Sequence, residues 1–100
     1  MKYLLSLLCF VGSAHAGFLT GNKLLENLNG DREAYIFAQG YIASIADSNN
    51  DKDFCIPINV TVKQVVDATR AYLEKQIAYR HINASALVQV GFVYTWPCKK

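Results

Sequence analysis

The stretch from Phe54 to Tyr72 constrains the fold of this chain more than any other. It joins an arm that resists helix to a helix with a written start. Pro57 locks its own φ and pushes Ile56 out of the helical region, so Phe54–Val60 reads as extended. Thr61 and Gln64 stand at capping-box spacing. Each side chain can satisfy the other's free backbone N–H, which starts a helix at Val62. Cys55 lies at the root of the arm, and a bond from it to Cys98 would clamp the tail of the chain onto the start of this central helix.

That bond becomes expected once the N-terminus is read. Residues 1–16 carry the three parts of a secretory signal peptide: a charge at Lys2, an apolar run from Tyr3 to Val11, and the small-x-small site Ala14-His15-Ala16. The run is too short to span a bilayer as a stable helix. Leu8 before Cys9 argues against lipidation. The expectation is an exported, periplasmic chain with a single domain over 17–100 and no membrane span after the signal is removed. The alternative for 1–16 is a buried N-terminal helix. Loss of Cys9 leaves Cys55 and Cys98 in an oxidising compartment, where one intramolecular pairing exists. An intermolecular bridge or two free thiols are the other outcomes. The loop-entropy model gives such a bridge about 4 kcal/mol. Small domains have modest cores and often need a staple or a partner.

Charge excludes one class of function. Lys99 and Lys100 form a basic tip, and Gly17–Cys98 is close to neutral, so no basic stripe is left for a nucleic-acid backbone.

Four helices follow from periodicity and caps. Thr20 or Asn22 can cap a short helix, Lys23–Leu28, with Leu24, Leu25 and Leu28 on one face. Asn29-Gly30-Asp31 is a turn whose Asp31 can cap a second helix, Arg32–Ser48. Its apolar stripe is Ala34, Phe37, Ala38, Tyr41, Ile42, Ile45 and Ala46, and Gly40 in its middle predicts a second backbone packed close by. The third helix is expected over Val62–Ala78, with Val62, Val65, Val66, Thr69, Tyr72, Leu73 and Ile77 inward. Asp67 with Arg70, and Arg70 with Glu74, stand at ion-pair spacing. Asn83 can cap a last helix, Ala84–Thr95, which is apolar nearly all round. Leu87, Val88, Gly91 and Phe92 make one face, and Val90, Val93 and Tyr94 are a surplus that a second copy or a partner would cover. The expected fold is all-α: a small disulfide-stapled bundle of three long helices and one short.

The chemistry of an enzyme is missing. His81 is the one histidine after residue 16, and two bridged cysteines cannot serve as nucleophile or ligand. No Gly-x-Ser-x-Gly or phosphate-binding glycine loop occurs. His81 beside Arg80 suits a helix end better than a catalytic base. Asp47, Asn49 and Asp51 begin like a calcium loop, but Lys52 stands where glycine is needed and Ile58 where the bidentate glutamate is needed. Asn59-Val60-Thr61 and Asn83-Ala84-Ser85 match glycosylation acceptors, which matter only in a eukaryotic host. No cofactor, metal or catalytic set is expected.

Several segments together resemble the Rap/Tai family of exported bacterial immunity proteins, which guard against type VI secretion amidase toxins. They are Phe18-Leu19-Thr20-Gly21-Asn22-Lys23-Leu24-Leu25, Gly40-Tyr41-Ile42-Ala43-Ser44-Ile45-Ala46-Asp47, and Cys55-Ile56-Pro57 with Val60-Thr61. Gln64-Val65-Val66-Asp67, Tyr72-Leu73-Glu74, Arg80-His81, Ala84-Ser85 and Trp96-Pro97-Cys98 complete the match in order. Relatives often carry two further cysteines where this chain has Leu28 and Ala38, and a proline where it has Asn83. The loss of that second pair puts the rigidity of the first helix in question.

The resemblance implies a helical homodimer that binds a peptidoglycan-cleaving amidase effector and obstructs its active-site groove. Two partner-binding candidates stand out: the acidic loop at Asp47, Asn49, Asp51 and Asp53, and the corner at Tyr79, Arg80 and His81. Val90, Val93 and Tyr94 are the dimer candidates. The alternative function is a small periplasmic binding or chaperone module, similar to the disulfide-stapled acid-stress chaperones, with no toxin partner. A cell-wall hydrolase and a structural envelope subunit are more distant rivals.

Overall fold

In a computed structural model, which describes residues 18–99, the chain forms four helices. They are α1 (Gly21–Leu28), α2 (Arg32–Asn49), α3 (Val62–Lys75) and α4 (Ala84–Thr95). Extended pairing among the described residues is limited to the single bridges Thr20–Asn83 and Asn50–Phe54. The all-α class, one short helix and three longer ones, is as the periodicity predicted. The expected signal peptide lies outside the described residues. None of the described helices is long and apolar enough to cross a membrane.

Helix starts follow their caps. The Thr20 and Asp31 side chains accept from the Lys23 and Ala34 amides, and Thr61 and Gln64 form the full reciprocal box. The Asn83 carboxamide accepts from the Ser85 amide at 2.8 Å, and α4 has the bounds its sequence indicated. α1 begins at Gly21, two residues ahead of the expected Lys23, because a distant segment supplies acceptors. The Gly21 N–H donates to the Ile82 carbonyl (3.0 Å) and the Asn22 N–H to that of Arg80 (2.7 Å). These are donors that a helix start leaves unpaired. Gly21 is needed for this approach, since a Cβ there would collide with Leu87 Cδ1 and lie 3.0 Å from the Arg80 carbonyl oxygen.

The same contact ends α3 early. The helix stops at Lys75, not Ala78, and the Gln76 amide tightens onto the Leu73 carbonyl (3.1 Å) as the chain turns toward α1. Ile77, expected on the inner stripe, is 75 % exposed as a result, and Val62 at the other end is 48 % exposed. On α2, Ala38 and Ile42 are fully buried, whereas Phe37 is half exposed and stacks outward on Tyr41, with ring centroids 6.2 Å apart. The buried line on α2 is narrower than the stripe suggested. Burial raises the Tyr41 phenol above its ordinary range, partly offset by its contact with Ser85 of α4.

Gly40 overturns its expectation. No side chain or foreign backbone lies within 4 Å of where its Cβ would stand. An exposed mid-helix glycine with open space costs helix stability and gains no packing. Gly40→Ala is therefore expected to stabilise the fold by about 0.5–1 kcal/mol, read as a higher urea midpoint. A lower midpoint would mean that something does pack there.

The core is centred on Phe54 and Phe92, which meet edge to face at 5.0 Å, with Leu24, Ile42, Val66, Leu73 and Val88 around them. Phe92 also touches Trp96, and the Trp96 carbonyl accepts from the Cys55 amide at 2.8 Å. The Cys55–Cys98 bridge completes this seam, with Cα atoms 4.9 Å apart. Leu28 and Ala38 are both buried in the apolar core.

α1 is secured without a second disulfide. The Arg70 guanidinium pairs with Asp67 at 3.2 Å as expected, but leaves Glu74 and reaches across to α1. Its Nη2 donates to the Leu28 carbonyl (3.0 Å) and its Nε to Asn29 Oδ1 (3.3 Å). A cation at a helix C-terminus meets carbonyls that have no intrahelical partner. Lys63 donates to Asp67 at 2.9 Å, and with Arg70 it holds the Asp67 carboxyl below the usual carboxylate range. Arg70→Ala is expected to cost about 1–2 kcal/mol and to speed hydrogen exchange at Leu28 and Asn29 before the rest of the bundle. Uniform exchange across all four helices would contradict this clip.

Candidate partner-binding surfaces

α3 separates the two candidates read from the sequence. It runs from the acidic-loop end of the bundle to the Tyr79 corner, and its 14 residues span about 21 Å. The loop and the corner are distinct surfaces.

The acidic loop is built on Phe54. The Phe54 ring is buried, its carbonyl accepts from the Asp51 amide at 2.7 Å, and the Asn49 carbonyl accepts from the Lys52 amide at 3.1 Å. Asn50 Oδ1 accepts from the Ile56 amide at 2.8 Å, which ties the loop to the extended arm. Asp51 adopts φ 71°, a left-handed conformation that aspartate tolerates better than most residues. Asp47, Asp51 and Asp53 are exposed, Asn49 is partly covered, and none of the three carboxylates joins an ion pair among the described residues. They gather where α2 ends, with no basic residue in its last turn. Negative charge at a helix C-terminus is unfavourable. The loop is thus a backbone-braced edge with a net negative charge, Lys52 being the one cation among its three carboxylates.

The corner behaves otherwise. Tyr79 and His81 are exposed, but Arg80 is half-buried, with Nη1 3.5 Å from the Leu73 carbonyl and Nε buried without a partner. With the Arg80 and Ile82 carbonyls bound to α1, the corner has a structural task. Only Tyr79 and His81 are free to be touched.

On α4, Leu87, Val88, Gly91 and Phe92 face the core, while Val90, Val93 and Tyr94 are exposed. Gly91 lets the helix settle on Tyr72, whose ring lies 3.0 Å from where a Cβ would be. Tyr94 stands beside that ring at 6.3 Å, over a shallow apolar hollow with Ala68 and Ala71. The surplus apolar surface expected of this helix is present.

A fourth surface was not anticipated from the sequence. Between α2 and the arm runs a groove of ≈ 200 Å³, lined by Ala43, Ala46, Ile56, Pro57, Ile58, Val60, Val62 and Val65 together with Asp47 and Asn50. Ile58, at its edge, is fully exposed, on a turn closed by the Val60 amide donating to the Pro57 carbonyl at 3.1 Å. The available signal was an apolar Ile-Pro-Ile triplet held between two anchors, Cys55 and the Thr61 cap, with neither helical nor strand period.

A model of the Rap1a immunity protein family matches residues 20–98. The chain belongs to this family. The match begins at the N-cap of α1 and ends at the second cysteine of the bridge, so it takes in all four helices. No individual curated protein matches the chain. As a Rap1a immunity protein it has a cognate secreted effector protein as its partner. Among its described residues no three His, Cys, Asp or Glu side chains converge to hold a metal ion. What the Rap1a chain presents to a partner is shape, apolar surface and unpaired carboxylates.

Proposed function

We propose that this protein is an exported periplasmic immunity protein that binds a peptidoglycan amidase effector of type VI secretion and blocks its substrate groove. The observation that carries this reading is the Rap1a match, which spans the fold from Thr20 to Cys98. A disulfide at the seam of arm and tail is consistent with an oxidising compartment, as is the signal-like N-terminus. The bare α4 face at Val90, Val93 and Tyr94 suits a second copy, which makes the working species a homodimer.

The test uses a panel of purified type VI peptidoglycan amidases. Expected are inhibition of muropeptide release by one of them, a dimeric mass by analytical ultracentrifugation, and protection of a sensitive strain only when the chain is exported. If no amidase of the panel is bound or inhibited, the reading falls.

Within this function the acidic loop faces the effector. Asp51→Asn with Asp53→Lys is expected to weaken binding by more than about tenfold in titration calorimetry, typical of charges at a complementary interface. Asparagine is used at 51 because it also tolerates the left-handed backbone, which lysine would strain. Unchanged affinity would exclude the loop.

A further inference from the structure

We infer that the α2–arm groove, with Ile58 at its edge, is the seat of the effector: an apolar side chain of the effector enters the groove while a neighbouring lysine or arginine meets Asp47. This rests on the function proposed above and adds where the contact lies and what chemistry it selects.

Two properties of the groove point to such an occupant. The first is charge. Asp47 shares the lining with eight apolar residues, Ile58 among them, and its carboxylate has no cationic partner among the described residues. Asp51 and Asp53 follow on the loop that leaves α2, joined to the groove through the Asn50–Ile56 bond. An apolar slot with an unpaired acidic rim is complementary to an apolar residue flanked by a base. The second is rigidity. The arm that forms one wall is fixed by the Cys55–Cys98 bridge, by the Trp96 carbonyl, by Asn50 and by the capping box at Thr61. Ile58 is thereby held in solvent on a turn with little freedom to lose, which lowers the entropic cost of burying it against a partner. Fully exposed aliphatic side chains held this way are suited to fill a pocket at the centre of an interface.

A second copy is a poor occupant for this groove. A two-fold contact brings each surface against itself, which would oppose Asp47, Asp51 and Asp53 to their own copies. α4 itself carries no charged residue, and the hollow at Tyr94 has Lys75 as its one charge, so the face with Val90 and Val93 escapes a clash of three carboxylates. The two surfaces therefore divide the work: α4 for the copy, the groove for the effector.

The experiment compares wild type, Ile58→Asp and Asp47→Lys, each full-length, exported and oxidised, against the type VI amidase that wild type inhibits. Both sites are exposed, so helicity should stay at the wild-type value and the thermal midpoint should not fall; Asp47→Lys, which puts a cation in the last turn of α2, should raise it slightly. Each variant is expected to bind at least about tenfold more weakly, with the dimer mass unchanged. An amidase variant reversed at its complementary base should regain affinity for Asp47→Lys. Wild-type affinity in both variants overturns the groove and leaves the immunity function standing. Loss of the dimer in Ile58→Asp overturns it too, since the groove would then be a self-contact. If wild type binds no amidase of the panel, the function and this surface fall together.

Discussion

Cys55→Ser with Cys98→Ser is expected to lower the unfolding free energy by about 4 kcal/mol in urea denaturation under non-reducing conditions. The bridge closes a sequence separation of 43 residues, so in the unfolded chain it removes a large part of the conformational freedom of the C-terminal half. A domain of this size has a total stability of roughly 5–10 kcal/mol, so the variant would stand near the threshold of folding at physiological temperature. The native state loses order as well. The bridge holds the arm against Trp96, and without it the Cys55–Trp96 backbone bond is the remaining tie between them. Reduction of the wild type should reproduce the loss. A drop below about 1 kcal/mol would show that core packing alone fixes the arm.

Phe54→Ala is the second large effect, expected at about 3–5 kcal/mol by the same denaturation. Its ring is wholly buried against Phe92, and truncation leaves a cavity where α4 and the arm meet. The substitution also reaches the surface. Phe54 anchors the acidic loop through the Asp51 amide, so loosening it should broaden amide resonances at residues 50–54 beyond those of the helices. A conservative Phe54→Leu, which keeps most of the volume, should cost well under half as much. Equal costs for the two would mean that the ring's edge-to-face contact, not its volume, carries the stability.

Where the fold was legible in the sequence, both partners of an interaction lay close together. Thr61 and Gln64 are three residues apart, and their two bonds form at 2.8 and 3.1 Å as the pattern required. Asn83 likewise announced α4, and Asp67 with Arg70 announced an ion pair. The bridge between Cys55 and Cys98 was readable because so few pairings were open. The misplaced ends of α1 and α3 came from distant partners. α1 starts early because Ile82 and Arg80 accept its amides, and α3 stops early to deliver them. Arg70 abandons Glu74 for the end of α1, a contact that no local spacing encodes. Phe37 failed because periodicity shows which side of a helix is apolar, not how wide a strip its neighbours cover, and Gly40 because the helix cost of a glycine does not by itself mark a close neighbour.

The candidate site was half legible for a related reason. Carboxylates at 47, 51 and 53 mark a solvated edge in any sequence. An isoleucine does not mark its own exposure, so Ile58 and the groove it borders became visible only once the arm had been placed. The corner was legible as a break in pattern. Its use as a support for α1 depended on which backbone groups met there.

That support sets an order of assembly. The first of the described helices begins with amides that wait for acceptors some sixty positions downstream, and the Ala84 amide in turn donates to Leu19. Contacts of such sequence separation are slow to close. The start of α1 therefore closes late: its first amides find their acceptors only after residues 80–82 have been made.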